Sequence, residues 1–151
     1  MPTERANPYG AFNYMVSLND KNDDPADVFG GFSDVSGLGM DVSYSEYRNG
    51  NEKFNTARKI PNTHKLDDVT LKRGLVGKTK LFEWIKAIAD GTYAPTNVTI
   101  TLLDEARQPV ATWVLRNAQA KKWSGPTLAG KGGGEVAMEE LHLVHEGIDY
   151  K

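Results

Sequence analysis

The sequence predicts a mainly β fold: an antiparallel β-sandwich or barrel with one packed α-helix. Three observations predict it. Apolar and polar residues alternate over several short runs, the period-two pattern of strands with one covered face. One stretch alone carries the 3.6-residue period of an amphipathic helix. The runs follow one another without strand–helix–strand alternation, which favours antiparallel layers over a parallel sheet. The 151 residues suffice for a core of their own. No internal repeat or composition break divides them, so a single domain over 1–151 is expected.

Phe12, Tyr14, Val16 and Leu18 alternate with Asn13, Met15 and Ser17, which predicts a first strand with one buried face. The polar stretch NDKNDDPAD then reads as a loop broken by Pro25. Glycines at 30, 31, 37 and 39 punctuate short strands or bulges. Met40, Val42 and Tyr44 alternate with Asp41, Ser43 and Ser45 and predict a second strand. Residues 48 to 63, RNGNEKFNTARKIPNT, show almost no apolar period. A loop of that length inside a compact domain is commonly functional, so it is expected to be a partner-binding arm. KLDDVTLKRG follows as a strand with Val69 and Leu71 inward. Thr79 is placed to cap a helix with its hydroxyl, and Leu81, Trp84, Ile85 and Ile88 form its apolar stripe. Gly91 falls where a helix often ends in a left-handed residue. NVTITLL, PVATWVL, the segment around AKKW and EVAMEELHLVHE read as further strands, and DEARQP as a hairpin connection. Val136 and Met138 have one parity and Leu141 and Leu143 the other, so a bulge is expected near Glu139–Glu140. The total is six to eight strands and one helix.

Composition excludes several functions. Without cysteine there is no disulfide framework, thiolate zinc site or cysteine nucleophile. A formal net charge of −2 argues against wrapping nucleic acid through phosphate neutralisation. No apolar run approaches the ~18 residues of a membrane span, so no stable membrane association is expected. MPTERANPYG lacks the apolar segment of a signal peptide, which places assembly in the cytoplasm.

Five motifs imitate chemistry. GLVGKT (74–79) ends like a phosphate-binding loop, but five residues before Gly77 stands Lys72, not the glycine that G-x-x-x-x-G-K-[ST] requires. A turn before the helix is the stronger reading. HLVHE (142–146) has histidines three apart in a strand, where they point to opposite faces instead of converging on zinc. An enzyme built on His142, His145 and Glu146 is therefore a weak alternative. DKNDDP matches the first calcium-loop positions at Asp20, Asn22 and Asp24. Pro25 stands where glycine must turn the chain, and Gly31 where a bidentate glutamate belongs. Asp67–Asp68 and Glu139–Glu140 are neighbours on strands, so neither pair faces one substrate atom. AKKWSGP mixes basic and aromatic residues as a nucleic-acid patch does, yet a strand end fits better at this net charge. No serine sits in a recognisable triad frame. The expectation is a protein without catalytic, cofactor or metal sites. What the pattern does offer is sheet edges, which must be hidden or paired with a neighbour. A head-to-tail pairing closes into a ring when its rotation permits.

From end to end the chain resembles the tail-tube proteins of contractile-tailed phages and related contractile injection systems. The matching stretches are NPYGAFNYMVSL (7–18), GGFSDVSGLGMDVSYSEYRNG (30–50), VTLKRGLVGKTKLFEWI (69–85), VTITLLDEARQPVATWVLRNA (98–118), KKWSGPTLA (121–129) and EVAMEELHLVHEG (135–147). The LKRG turn before an L-x-x-W-I helix, the W-x-L-x-N-A strand and the closing E-x-L-x-L-x-H-E-G are the most specific. The resemblance implies a structural protein with no catalytic residues. It implies hexameric rings of the chain itself, stacked into a hollow tube inside a contractile sheath that drives the tube through a target envelope. The implied partners are other copies, the sheath protein, baseplate and tube-capping proteins, and DNA or effector proteins as cargo in the lumen. It places the chain in a phage virion or an injection particle. A ring-forming secreted carrier of a type VI-like system is the alternative. The family often has L-P-G where this chain has IPN, which puts Asn62 at the turn expected to close the arm. For the arm itself, Arg48, Asn49, Asn51, Glu52, Lys53, Phe54, Arg58 and Lys59 are the expected subunit contacts.

Overall fold

The computed structural model describes residues 4–18, 32–51, 53–54, 56–75, 79–93, 95–130 and 136–151. Among them lie nine strands and one helix: β1 (Tyr14–Leu18), β2 (Asp34–Ser36), β3 (Met40–Tyr47), β4 (Arg58–Leu66), β5 (Val69–Gly74), α1 (Lys80–Ala89), β6 (Thr96–Leu103), β7 (Pro109–Ser124), β8 (Met138–Val144) and β9 (Gly147–Tyr150). Every pairing is antiparallel. Seven strands form one sheet in the order β1-β6-β7-β8-β5-β2, with β9 also on β7, while β3 and β4 pair only with each other. The expected loop NDKNDDPAD and its calcium-like positions lie outside the described residues, as do residues 76–78 of GLVGKT.

β7 organises the sheet. PVATWVL and AKKW, expected as separate strands, are one 16-residue strand. Its first part pairs with β6 and β9, and its last part with β8. The change of partner falls at Asn117, whose φ of 50° is a left-handed conformation that asparagine tolerates better than most residues. Its backbone N–H donates to Asn97 Oδ1 at 3.1 Å, and its amide to Glu146 Oε2 at 2.8 Å. The bend is thus tied to β6 and to the link between β8 and β9. Val16, Val98, Ile100 and Leu115 from one part and Val69, Leu71, Leu141 and Leu143 from the other meet in a single buried cluster, so the sheet curls round one core.

The helix lies against this core as the stripe predicts. Leu81 is fully buried, and Trp84, Ile85 and Ile88 pack half-buried beside it. Phe82 meets the Trp123 ring edge-on at 5.1 Å, fixing α1 on the end of β7. Gly91, at φ +100°, ends the helix and donates to Ile88 O. The expected cap differs in detail: Thr79 holds the N-cap position, but its hydroxyl donates to Glu83 Oε1 at 3.0 Å and makes no cap bond.

Two strand expectations also change. β8 pairs with β5 in unbroken register from Met138 to Leu143, so no bulge occurs at Glu139–Glu140. The inward parity is Glu139, Leu141 and Leu143, and Val136 is exposed. The alternation misled because the innermost residue near the start of β8 is a carboxylate. Glu139 accepts from Arg73 Nε and, at 3.3 Å, from Trp123 Nε1, while the Arg73 guanidinium lies over the Phe32 ring. The first strand begins at Tyr14 and leaves Phe12 exposed.

Candidate assembly surface

Among the described residues, β3 and β4 pair with no strand but each other. The base of this hairpin is rigid. Gly37 has φ +90°, and a Cβ there would come within 2.1 Å of Asp68 O, so only glycine lets the chain pass β5 so closely. Asp67 N–H donates to Gly39 O at 3.2 Å and closes the base. From there the strands pair from Met40↔Leu66 to Tyr47↔Arg58, with a register shift between Val42 and Tyr44.

Residues 58–63, expected within a polar loop, are therefore strand, and only 48–57 connect the two strands. They carry no visible alternation because only Ile60, Pro61 and Leu66 of β4 stand among polar and charged residues. Asn62 lies inside β4 beside the register shift and donates to Ser45 Oγ at 3.0 Å. No turn closes there, contrary to expectation.

All of β3 and all of β4 except half-buried Leu66 are exposed. Side-chain alternation puts Met40, Val42 and Tyr44 on one face, across from Leu66, His64 and Pro61. Met40 and Tyr44 are each 57% exposed and Val42 44%, an apolar stripe in water. Beyond it the face becomes ionic. Lys59 Nζ donates to Glu46 Oε1, which holds the Glu46 carboxyl below its ordinary pKa. The other face carries Asp41 opposite Lys65 and Ser45 opposite Ile60.

The expected contact residues gather at the far end. Arg48, Asn49, Asn51, Lys53 and Phe54 lie in the connection; Arg58 and Lys59 begin β4. Glu52 lies outside the described residues. Arg48 Nε donates to Phe54 O at 2.9 Å, the Tyr47 phenol to Asn49 Oδ1, and Phe54 is 78% exposed. Sequence reasoning about contacts passed over Met40, Val42, Tyr44 and Ile60. For the three on β3 the signal was the alternation itself, read as a strand without asking what covers it.

The motifs with chemical overtones have structural neighbours. His142 sits with Nδ1 3.1 Å from Thr70 Oγ1 and Nε2 3.4 Å from Glu140 Oε2. His145 places one ring nitrogen 3.1 Å from Gly147 O and the other 3.1 Å from Asp67 O, linking the start of β5 to the β8–β9 break. Asp68 is bridged by Lys121 at 2.6 Å, which lowers its pKa. Glu139 and Glu140 diverge, one into the core and one toward Lys72 at 3.4 Å. Among the described residues no three metal-ligating side chains converge, and no helix is long and apolar enough to cross a membrane.

Comparison with known proteins agrees with this architecture. No curated protein matches the chain. Among solved structures, a chain of the sheath–tube complex of the PVC extracellular contractile injection system, in its extended state, is 26% identical. It aligns with a TM-score of 0.81 over 95% of this chain and 91% of its own. A chain from the PVC sheath/tube terminator, also 26% identical, gives 0.83 over 97% and 98%. Hcp1 from Flavobacterium johnsoniae shares the fold more distantly, at 10% identity and a TM-score of 0.54 over 91% and 93%. The model of the T4-like virus tail tube protein gp19 family matches residues 10–149. With almost the whole chain inside that match, and a β fold shared with the contractile-injection chains, the protein belongs to the T4-like tail tube protein gp19 family and is a tail-tube protein.

Proposed function

We propose that the chain is a purely structural subunit, without enzymatic activity, that joins copies of itself into hexameric rings stacked as a hollow tube. The observation that carries this reading is the β3–β4 hairpin, whose apolar stripe is uncovered in the single chain. Contiguous exposed apolar surface on an isolated subunit marks a surface that another protein covers. Among the described residues β1 and β2 each pair on one side only, which gives the same indication for the body of the sheet, since unpaired edges invite further strands. The hairpin, with the arm residues at its end, is the element that reaches a neighbouring subunit or the next ring.

The resemblance to chains of PVC sheath–tube and terminator assemblies supports a place inside a contractile sheath, with baseplate and cap proteins at its ends and DNA or effectors as cargo. Assembly in the cytoplasm accords with that place. The likeness to these chains exceeds that to Hcp1, so a self-stacking tube is favoured over a secreted ring. Negative-stain microscopy of concentrated pure protein tests the reading. Rings and tubes are expected; monomers alone, even with sheath and baseplate proteins added, would refute it.

A further inference from the structure

Asn49–Gly50, at the far end of the hairpin, has a chemistry that assembly does not require. No other asparagine in the chain precedes a glycine. This pairing matters because the backbone nitrogen of the following residue can approach the asparagine side-chain carbon. Glycine neither blocks the approach nor resists the backbone angles it needs. Two features of the turn favour the attack. A Cβ on Gly50 would meet nothing within 4 Å, and among the described residues no hydrogen bond holds its N–H. The Tyr47 phenol donates to Asn49 Oδ1, the oxygen that gains negative charge as the amide carbon is attacked. That is the task of an oxyanion-hole donor. Asp90–Gly91 offers a contrast within the same chain. There the glycine N–H is engaged with Ile88 O at 3.1 Å, at the end of a helix.

We propose that Asn49–Gly50 is a self-modification site. Gly50 N bonds to Asn49 Cγ, and the side-chain nitrogen leaves as ammonia, taking the Gly50 amide proton with it. The resulting five-membered imide takes up one water and opens to aspartate or isoaspartate. No oxidant, reductant or enzyme is needed. Tyr47, donating to the amide oxygen of Asn49, speeds the first step. Either product sets a carboxylate beside Arg48, and isoaspartate also adds a main-chain atom to the turn. The consequence for assembly rests on the hairpin being a subunit contact: chains that wait too long unassembled lose the tip chemistry that docks them.

The test is to incubate the purified full-length protein and follow each asparagine by peptide mass spectrometry. Asn49 should gain one dalton ahead of every other asparagine. Gly50→Ala should slow this several-fold. Tyr47→Phe should slow it several-fold in the folded protein and leave the rate unchanged in a short synthetic peptide covering the turn. If Asn49 reacts no faster than Asn51 or Asn62, the site is overturned. An unchanged rate in folded Tyr47→Phe removes the phenol's role. Partly aged protein is then allowed to assemble, and tubes and unassembled protein are compared. Depletion of modified chains from tubes is expected, and equal content overturns the exclusion. Tubes built by a hairpin-deleted chain would instead overturn the contact reading and leave the chemistry standing.

Discussion

Arg73 and Glu139 are 1% and 2% exposed, and they join β5 to β8 where an aliphatic pair could have packed. Removing one member of a buried ion pair leaves the other charge uncompensated, at a cost of about 3–5 kcal/mol. Arg73→Met should therefore destabilise the fold by that order in urea unfolding. Arg73→Met combined with Glu139→Leu should recover most of the loss, because two apolar groups leave no stranded charge. A double variant as unstable as the single would show that the cost lies in packing. Arg5 is a surface counterpart. It bridges both Glu105 oxygens at 2.9 Å while donating to Asn7 O and Pro8 O, and so straps the N-terminal segment onto the β6–β7 turn. The Arg5 guanidinium depresses the Glu105 pKa from 4.5 to about 2. A carboxylate whose folded pKa is lowered contributes its stabilisation above the unfolded value, and that contribution fades as pH falls toward the folded one. The strap should thus loosen between about pH 4.5 and 2. The Arg5 guanidinium carbon also lies 3.9 Å from the centre of the Tyr9 ring, so the loosening should be seen as a change in the ring-current shifts of the Arg5 side-chain protons. Glu105→Gln should abolish that step.

At the scale of elements, the hairpin and the body are separable. Gly39 and Asp67 already touch through a backbone hydrogen bond, so residues 40–66 can be replaced by a short glycine link without stretching the chain. The resulting body should keep a melting temperature close to that of the full chain and form no tubes. A large fall in melting temperature would mean that the hairpin stabilises the body. In the helix, Trp84 is only half-buried while Leu81 is fully enclosed. Leu81→Ala should cost about 2–5 kcal/mol, and Trp84→Ala fall at or below the lower end of about 3–5 kcal/mol for a fully buried ring. The same contrast explains what could be read from the sequence. Val69 and Leu71, the α1 stripe and the β6 alternation were legible because each buries one face against this chain. β4 was not, since RKIPNTHKL places only Ile60, Pro61 and Leu66 among polar and charged residues, and no alternation marks a face as it does in β3. The unity of β7 was hidden by Asn117, whose left-handed backbone bends a strand without breaking it. Glu139 was hidden because a buried carboxylate interrupts the apolar parity that locates a strand's inner face.

For the whole molecule the question is what the exposed stripe does when copies meet. Folding leaves Met40 and Tyr44 57% exposed and Val42 44%, so it captures only part of what their burial can contribute. If association covers the stripe, burying what is still exposed adds at most the roughly 1.5–3 kcal/mol that a full apolar burial gives per side chain. In the proposed ring and stack such a term favours polymerisation of a subunit with a net charge of only −2, whose self-repulsion is small. It also separates folding from assembly, since the two rest on different residues. Val42→Lys should expose the distinction. A lysine there lies in water in the monomer, so circular dichroism and thermal unfolding should match the parent protein. In a tube it would sit in an apolar contact without a countercharge, so microscopy and sedimentation should show monomers or isolated rings where the parent builds tubes. If Val42→Lys polymerises as readily as the parent, the stripe is not a buried contact, and the edges of β1 and β2 must carry the assembly instead.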